Sequence, residues 1–286
     1  MISIEQWKER GRICRFKEFN IYYQVQEKDS QPLILLLHGF PTSSWDWSKM
    51  WPLLTDNFSL LALDFLGFGY SDKPYPYDYT IHEQADIVEH LLTKLSIDNC
   101  YIIAHDYAVS VMQELLARDL ERVSSLYNKA ILLNGGLFPE THQARPIQKL
   151  LLGTFGKFVN MFLSKKSLAQ NLTEVFGPDT PPSSQEIDAF WDLINYNNGK
   201  RVFHRLIHYM KDRIEYRDRW LYALRKTQVP LKLVNGPLDP VSGIHMVNRY
   251  KELIPNPDID ILEGIGHYPN VESAEKVADI ASAYFE

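Results

Sequence analysis

Short, continuous apolar runs are the feature that most constrains the fold of this 286-residue chain. Longer stretches with helical periodicity separate consecutive runs. Continuous runs of this length are typical of parallel strands that helices cover on both faces. The pattern therefore predicts an α/β fold with a mostly parallel central sheet and helices on both of its faces. The runs are Pro32 to Leu37, Phe58 to Leu63, Cys100 to Ala104, Ala130 to Leu133, Pro230 to Val234 and Ile259 to Leu262.

Two parts of the chain depart from this alternation. Ile13 to Phe16 and Ile21 to Val25 are less apolar and more alternating, which favours an antiparallel pair at the edge of the sheet. From about residue 138 to residue 228 the strand pattern is replaced by helical, aromatic-rich segments. We therefore expect a core made of residues 1–137 and 229–286, with a helical cap over residues 138–228 inserted between two strands.

Composition limits the possible partners. The net charge of -6 is spread along the chain, which gives no electrostatic reason to expect nucleic acid or an anionic membrane as a partner. Two cysteines, Cys14 and Cys100, are too few for a disulfide framework and favour a cytoplasmic protein with reduced thiols. No apolar stretch reaches the roughly 18–20 residues of a membrane span. We expect a small, largely apolar molecule as the ligand.

Polar residues follow directly after several of the apolar runs. Ligands of parallel α/β sheets bind beyond the carboxyl ends of the strands, so these residues mark the candidate site. His38 to Pro41 follow the first run, Asp106 follows the third, Asp239 the fifth and His267 the last. The sequence therefore predicts that two carboxylates and one imidazole meet at one edge of the sheet.

The order of motifs points to a family. The chain carries HGFP, DFLGFGYSD, AHDYA, a helical insertion, GPLDP and GHYPN. This set resembles the α/β-hydrolases of the epoxide hydrolase and haloalkane dehalogenase branch, over essentially the whole chain. Within that branch, HGFPTSSWDW, GFGYSDKP, NGGLFPETH and FGP are similar to the mesoderm-specific transcript proteins of animals and their bacterial relatives. That kinship does not specify an activity.

The resemblance implies that Asp106 is a nucleophile on a tight turn between a strand and a helix. Such a turn needs small residues two positions away on either side. Ala104 and Ala108 meet this need, although the glycines that are usual in the family are absent. The alternative is that Asp106 only caps the helix that follows. The three other loops of the motif set favour the nucleophile.

An aspartate nucleophile restricts the electrophile. Its attack on a saturated carbon leaves an alkyl ester, whose carbonyl carbon water can attack. Its attack on an ordinary carboxylic ester would form a mixed anhydride, which lies uphill. Epoxides and alkyl halides are therefore the expected substrates.

The resemblance also implies the roles of the other site residues. His267 would be the base that activates water, and Asp239 would orient its ring and stabilise the imidazolium. Glu140 in FPETH is a weaker candidate for the acid. The backbone N–H groups of Phe40 and Tyr107 would hold the oxyanion that forms on the ester carbon.

Side chains at two of these positions separate the subfamilies. Haloalkane dehalogenases hold the halide with an asparagine and a tryptophan where this chain has Phe40 and Tyr107, which disfavours halide release. Epoxide hydrolases use cap tyrosines, and Tyr209 in LIHYM resembles one of them. The partner tyrosine has no clear match, with Tyr196 and Tyr216 as candidates.

The sequence therefore predicts an epoxide hydrolase. The alternatives are a haloalkane dehalogenase-like hydrolase, a hydrolase of an activated or unusual ester, and a non-catalytic protein that binds a small molecule or a partner. We expect no metal site, because no histidine or cysteine pair has metal-ligand spacing, and we expect no cofactor. The segment Gly67 to Ser71 lacks the third glycine and the helix start of a dinucleotide-binding fingerprint.

Overall fold

The computed structural model describes residues 1–153 and 156–286. Within these residues the strands are β1 Arg12–Phe16, β2 Phe19–Gln26, β3 Leu33–Leu37, β4 Ser59–Leu63, β5 Cys100–Ala104, β6 Tyr127–Leu132, β7 Leu231–Asn235 and β8 Asp258–Ile261. They form one sheet in the order β1-β2-β4-β3-β5-β6-β7-β8. Strand β2 is antiparallel to both of its neighbours, and the remaining pairs are parallel. The predicted α/β fold, with its mostly parallel sheet and antiparallel edge pair, is confirmed.

Helices surround this sheet and also fill the long connection between β6 and β7. Of the helices in the described part of the chain, none has both the length and the apolar run that crossing a bilayer requires. Short 3₁₀ helices cover Ser44–Trp47, Pro139–Thr141 and Tyr196–Val202. The α-helices are α1 Ile4–Arg10, α2 Trp51–Leu54, α3 Ile81–Lys94, α4 Tyr107–Asp119, α5 Pro146–Leu152, α6 Gly156–Phe162, α7 Lys165–Thr173, α8 Ser184–Asn195, α9 Phe203–Leu206, α10 Tyr209–Glu215, α11 Arg217–Lys226, α12 Ile244–Leu253, α13 Pro269–Glu272 and α14 Ala274–Phe285.

The central strands are buried on both faces, as their continuous apolar sequences require. Every residue of β4 is buried, and so are the last four residues of β3. Helix α3 covers the sheet with the apolar stripe that includes Ile81, Ala85 and Val88, all of them buried. Its first turn is capped by Thr80, whose hydroxyl accepts a hydrogen bond from the N–H of Glu83 at 3.2 Å. The central strands are therefore covered by helices, as the sequence pattern requires.

The N-terminal helix α1 was not part of the predicted pattern. It begins after Ser3 with a capping box, in which the Ser3 hydroxyl accepts from the Gln6 N–H and the Gln6 side chain accepts from the Ser3 N–H. Its Trp7 is fully buried and meets Trp51 edge to face, with ring centroids 5.1 Å apart. The serine-x-x-glutamine spacing was the available signal for this helix.

The helical segment between β6 and β7 is anchored on helix α4. Buried Glu114 of α4 accepts hydrogen bonds from Trp220 Nε1 at 2.9 Å and from Arg219 Nε at 3.0 Å, both on α11. These charge-assisted bonds compensate for taking the carboxylate out of water. The segment is thereby fixed against helix α4. The bounds of the predicted cap, residues 138–228, stay a prediction.

Candidate active site

Asp106 lies at the sharp turn that joins β5 to α4. Its backbone has φ 46° and ψ -101°, in the left-handed half of conformational space that non-glycine residues rarely adopt. Such a conformation costs about 1–3 kcal/mol, which the surrounding structure must offset. The Asp106 N–H donates to the Asn134 carbonyl at 2.8 Å. A Cβ atom at Gly135 would lie 2.9 Å from the Asp106 carbonyl oxygen, so only glycine permits this approach.

The Asp106 side chain does not cap the helix. It occupies the N-cap position of α4 but makes no capping hydrogen bond. Instead, its Oδ2 accepts from the Phe40 N–H at 3.0 Å. Gly39 permits this contact, because a Cβ there would lie 3.0 Å from the Asp106 Cβ. Tyr107 is the first residue of α4, where N–H groups have no partner within the helix.

The other two predicted polar residues meet Asp106 from neighbouring loops. His267 Nδ1 is 2.7 Å from Asp239 Oδ2, and His267 Nε2 is 3.8 Å from Asp106 Oδ1. The first distance is a short hydrogen bond, whereas the second is too long for one. Because Nδ1 is bonded to a carboxylate, the imidazole presents Nε2 towards Asp106. The structure therefore brings together Asp106, Asp239 and His267.

Asp239 is held in place by hydrogen bonds on both carboxylate oxygens. Oδ2 also accepts from the Ser242 hydroxyl at 2.7 Å and from the Asn134 Nδ2 at 3.0 Å, while Oδ1 accepts from the Val241 N–H at 2.7 Å. Burial opposes ionisation of Asp239, but the His267 imidazole and these donors hold its pKa well below the usual range. Asp239 is therefore a fixed negative charge behind the imidazole.

This negative charge determines the protonation of His267. Burial alone would lower the pKa of the imidazole, but the Asp239 carboxylate beside it, together with Asp106, raises the pKa to about 9. At neutral pH the ring is protonated while the Asp239 carboxylate is ionised. A change in the charge of Asp106 would therefore change the basicity of His267.

Two supporting residues were missed by the sequence reasoning. His105 Nε2 is 2.7 Å from the His267 carbonyl oxygen. Burial lowers the pKa of His105 to about 4, with a smaller contribution from the nearby His267 imidazole. The neutral ring therefore donates this hydrogen bond. Asn134 bonds the backbone of Gly236 with both ends of its amide. Their position directly after a strand was the available signal, because His105 precedes Asp106 and Asn134 opens the NGG motif.

Tyr209 lies next to this cluster, in a buried position. Its ring centroid is 6.0 Å from that of Phe40 and 5.2 Å from that of Tyr107. Its hydroxyl makes no hydrogen bond within the described residues, although the Gln148 side chain is a neighbour. Burial, together with the Asp106 charge, raises the pKa of the phenol, so it is protonated. The role of Tyr209 as a proton donor stays a prediction.

Arg213, one helical turn after Tyr209, is a further contact of the nucleophile loop. Its Nη2 donates to the Asp106 carbonyl oxygen at 3.1 Å and lies 4.0 Å from Asp106 Oδ1, and its Nε donates to the Ser110 hydroxyl at 2.7 Å. The guanidinium carbon lies 4.5 Å from the centroid of the Tyr209 ring. No sequence motif indicated this buried cation.

The weaker candidates lie elsewhere. Glu140 is paired with Arg217 at 2.7 Å and with Arg249 at 3.2 Å on the protein surface, and the Arg217 hydrogen bonds lower the pKa of Glu140 to about 2. Tyr196 packs on Tyr70, and Tyr216 packs on His82. Asp239, not Glu140, is thus the carboxylate beside the His267 ring.

A cavity of about 880 Å³, including space open to solvent, lies against Asp106 and His267. The helical segment contributes an apolar wall that includes Leu151, Leu168, Leu172 and Ile194. In the described ranges, no group of three or more histidine, cysteine, aspartate and glutamate side chains is arranged to hold a metal ion. The site combines a carboxylate, an imidazole and an apolar cavity.

The fold and this site define a class of protein. A family model described as the alpha/beta hydrolase fold matches residues 32–274, and the chain belongs to this family. The mesoderm-specific transcript protein of Mus musculus is 41% identical over 281 residues, which cover 94% of this chain and 84% of that protein.

Two solved structures share the fold. One is a haloalkane dehalogenase loop variant, DbeA-M1, from Bradyrhizobium elkanii, with a TM-score of 0.79 and 18% identity, over 96% of this chain and 95% of that chain. The other is the epoxide hydrolase CorEH, with a TM-score of 0.78 and 20% identity, over 96% of this chain and 98% of that chain. At these identities the likeness shows the fold alone. The predicted resemblance to the α/β-hydrolases, and within them to the mesoderm-specific transcript proteins, is confirmed.

Proposed function

We propose that this α/β-hydrolase opens epoxides through a covalent ester on Asp106. The observation that carries the proposal is the position of the Asp106 carboxylate. One oxygen accepts the Phe40 N–H, and the other is 3.8 Å from His267 Nε2 at the end of an apolar cavity. In this position the Asp106 carboxylate can attack a carbon atom of a molecule in the cavity. Water activated by His267 can then cleave the resulting ester.

In the first step, a carboxylate oxygen of Asp106 attacks an epoxide carbon. A carbon–oxygen bond forms between Asp106 and the substrate, and the ring carbon–oxygen bond breaks. The electron pair of the broken bond stays on the ring oxygen, which takes up a proton. Tyr209 is the predicted donor of that proton, because its buried phenol is protonated.

In the second step, the charge change at Asp106 prepares the base. The ester no longer carries the negative charge that helps to raise the pKa of His267, so the ring releases its proton to solvent in the cavity, and solvent returns one to Tyr209. Neutral His267 then takes a proton from water, and the hydroxide adds to the ester carbonyl carbon. The N–H groups of Phe40 and Tyr107 stabilise the oxyanion. Its collapse breaks the bond between the ester carbon and the substrate oxygen, which takes the proton from His267 and leaves as the second hydroxyl of the diol. The new carboxylic acid group then passes its proton to His267, which restores the Asp106 carboxylate and the protonated ring.

Halide displacement is the second candidate for the same carboxylate, but it lacks donors for the leaving group. The side chain at Phe40 has no donor. The Tyr107 ring packs between Phe65 and Phe68, with centroids 5.6 Å and 5.2 Å away. Epoxide opening keeps its leaving oxygen on the substrate and needs only a proton, which tyrosine phenols can supply.

The test is to trap the ester. A His267→Phe variant treated with styrene oxide should accumulate one equivalent of adduct on the peptide that contains Asp106, detected by mass spectrometry. The base is removed, so the ester forms but is not hydrolysed. Asp106→Asn in the same background is the control and should show no adduct.

Three outcomes would contradict the proposal. Diol production by wild-type protein without any adduct in the His267→Phe variant would exclude the ester route. Thermal stabilisation by a series of epoxides and alkyl halides, with no turnover of any of them, would instead indicate a non-catalytic binding protein. Turnover of nitrophenyl esters alone would indicate the ester-cleaving alternative.

A further inference from the structure

We propose that the outer face of the segment between β6 and β7 docks on an anionic lipid surface, around the mouth of the cavity. Residues 141–173 and 197–211 supply this surface, and we call their exposed side the basic face. The proposal goes beyond the reaction at Asp106 and does not depend on it, because docking is measured as binding and not as turnover.

The net charge of -6 is the sum of two unlike parts. Residues 133–230 contain 14 lysines and arginines against 9 aspartates and glutamates, whereas the rest of the chain contains 16 against 27. The imbalance is sharpest in the ranges of the basic face. Residues 141–173 carry five of these cations and residues 197–211 carry four, with no aspartate or glutamate in either range. The total charge therefore does not describe the field that an anionic surface would meet on this side of the molecule.

The two ranges pack together in the structure. Asn160 Nδ2 of α6 donates to the Arg201 carbonyl oxygen at 3.1 Å, and Lys200 Nζ donates to the Leu163 carbonyl oxygen at 3.1 Å. Lys157, Lys200 and Arg201 also line one groove of about 650 Å³, including space open to solvent. Cations from both ranges therefore lie side by side on one surface.

Most of these nine cations have no carboxylate partner. Arg145, Lys165 and Arg205 form ion pairs with carboxylates from outside the two ranges. The other six form no ion pair within the part of the chain that the structure describes, and all of them except Lys200 are exposed. Their positive potential is therefore not cancelled locally. The six are Lys149, Lys157, Lys166, Lys200, Arg201 and Lys211.

Exposed apolar side chains lie among these cations. Leu150 follows Lys149 on α5 and is 58% exposed, and Phe158 follows Lys157 on α6 and is 57% exposed. Segments that bind a membrane surface combine cations, which attract anionic headgroups, with apolar side chains that enter the boundary between headgroups and acyl chains. A nucleic acid would match the cations but would leave the leucine without a partner. The combination favours a lipid surface.

The cavity opens on the basic face. Arg145, Gln148 and Ser164 line the cavity, and Ser164 is also exposed at the protein surface. The same cavity reaches Asp106 and His267. Docking would therefore place the mouth against the phase in which a largely apolar molecule concentrates, and such a molecule could enter without first dissolving in water.

The number of cations is sufficient for reversible docking. Each cation close to an anionic bilayer strengthens binding by about fivefold at physiological ionic strength, and added salt weakens this attraction. Six such cations give an affinity on the order of that provided by one acyl anchor, which is itself reversible. We therefore expect binding that depends on both lipid charge and salt.

Vesicle sedimentation tests the proposal. The intact chain is mixed with vesicles of phosphatidylcholine and phosphatidylglycerol in a ratio of about two to one, or with vesicles of phosphatidylcholine alone. The protein should sediment with the anionic vesicles only, and high salt should release it. The double variant Lys149→Gln/Lys157→Gln should weaken binding by about 20-fold, because two of the cations are neutralised.

A matched double variant controls for total charge. Lys251→Gln/Lys276→Gln neutralises two exposed lysines of α12 and α14, outside the basic face, and should change binding by less than about twofold. Leu150→Asn keeps every charge and should weaken binding by about tenfold, because the apolar side chain no longer enters the bilayer. Circular dichroism melts of each variant show whether the fold is retained.

Equal binding to neutral and anionic vesicles would overturn the proposal, and so would equal weakening by the two double variants. Binding of duplex DNA through Lys149 and Lys157, without binding of vesicles, would assign the basic face to a nucleic acid and also overturn it. None of these measurements requires an adduct on Asp106. A failed ester trap would therefore overturn the proposed function and leave the docking proposal standing.

Discussion

The floor of the site and the wall that covers it are built in different ways. We use site floor for Asp106, Asp239, His267 and the Phe40 N–H, all placed by loops that follow strands. We use cap wall for the residues of the segment between β6 and β7 that line or adjoin the cavity. In the site floor, both carboxylate oxygens of Asp239 accept hydrogen bonds. His267 Nδ1 is bonded to Asp239, and His267 Nε2 faces Asp106.

The cap wall has apolar contacts and polar atoms without partners. Arg145 Nε, the Tyr209 hydroxyl and Arg213 Nη1 are buried and make no hydrogen bond within the described residues. Buried polar atoms without partners cost about 1–3 kcal/mol each unless another molecule satisfies them. The site floor is therefore fixed by its own hydrogen bonds, whereas the cap wall leaves polar atoms unsatisfied, of which Arg145 lines the cavity.

The largest expected effect comes from breaking the site floor at Asp239. Asp239→Asn should lower kcat for epoxide hydrolysis by about 10²–10⁴-fold, because the imidazole loses the charge that orients it and stabilises its protonated form. Steady-state mass spectrometry should show the Asp106 ester accumulating. Ser242→Ala removes one hydrogen bond to Asp239 Oδ2 and should lower kcat only roughly fivefold, which corresponds to about 1 kcal/mol. Equal effects of the two variants would contradict the assignment.

A smaller effect concerns stability and tests the same charge arrangement. His267 has a pKa raised to about 9 in the folded protein, above its ordinary value of 6.5. The protonated ring therefore stabilises the fold fully below about pH 6.5, and this contribution is lost as the pH rises through about 9. Urea unfolding should show that, between about pH 6 and pH 10, the free energy of unfolding of the wild type falls by up to about 3 kcal/mol relative to that of His267→Gln. A difference that does not change with pH would contradict the geometry.

The smallest expected effect is in the cap wall. Leu168→Ala enlarges the cavity and should lower kcat/KM for an aryl epoxide by about tenfold, with a smaller change for a short alkyl epoxide, because the bulky group loses its contacts. Leu150→Ala, on exposed surface of α5, is the matched control and should change either value by less than about twofold. Equal changes for both epoxides would show that Leu168 does not contribute to selectivity.

The sequence predicted the site floor well because its residues follow strands. The central strands could be recognised from their apolar runs, and the carboxyl ends of parallel strands meet at one edge. Asp106, Asp239 and His267 therefore had to come together once the sheet was predicted. The turn at Asp106 was also predictable, since Ala104 and Ala108 leave room for it.

The cap wall and the supporting residues could not be predicted in this way. Helical periodicity shows which face of a helix is apolar but does not show which part of the core that face covers. Arg213 reaches the Asp106 carbonyl, and Glu114 binds α11, through contacts between residues about a hundred positions apart. These contacts depend on tertiary packing that no local pattern records.

The helical segment is inserted between two adjacent strands of the sheet, and this position affects how such proteins can diversify. Strands β6 and β7 are direct neighbours, so the backbone that leaves the sheet comes back one strand away. Recombination can therefore exchange one uninterrupted stretch of the gene and alter the residues that line the cavity, while Asp106, Asp239 and His267 are inherited intact. Chimaeras with crossover points in these two connections are the natural starting point for engineering new selectivity.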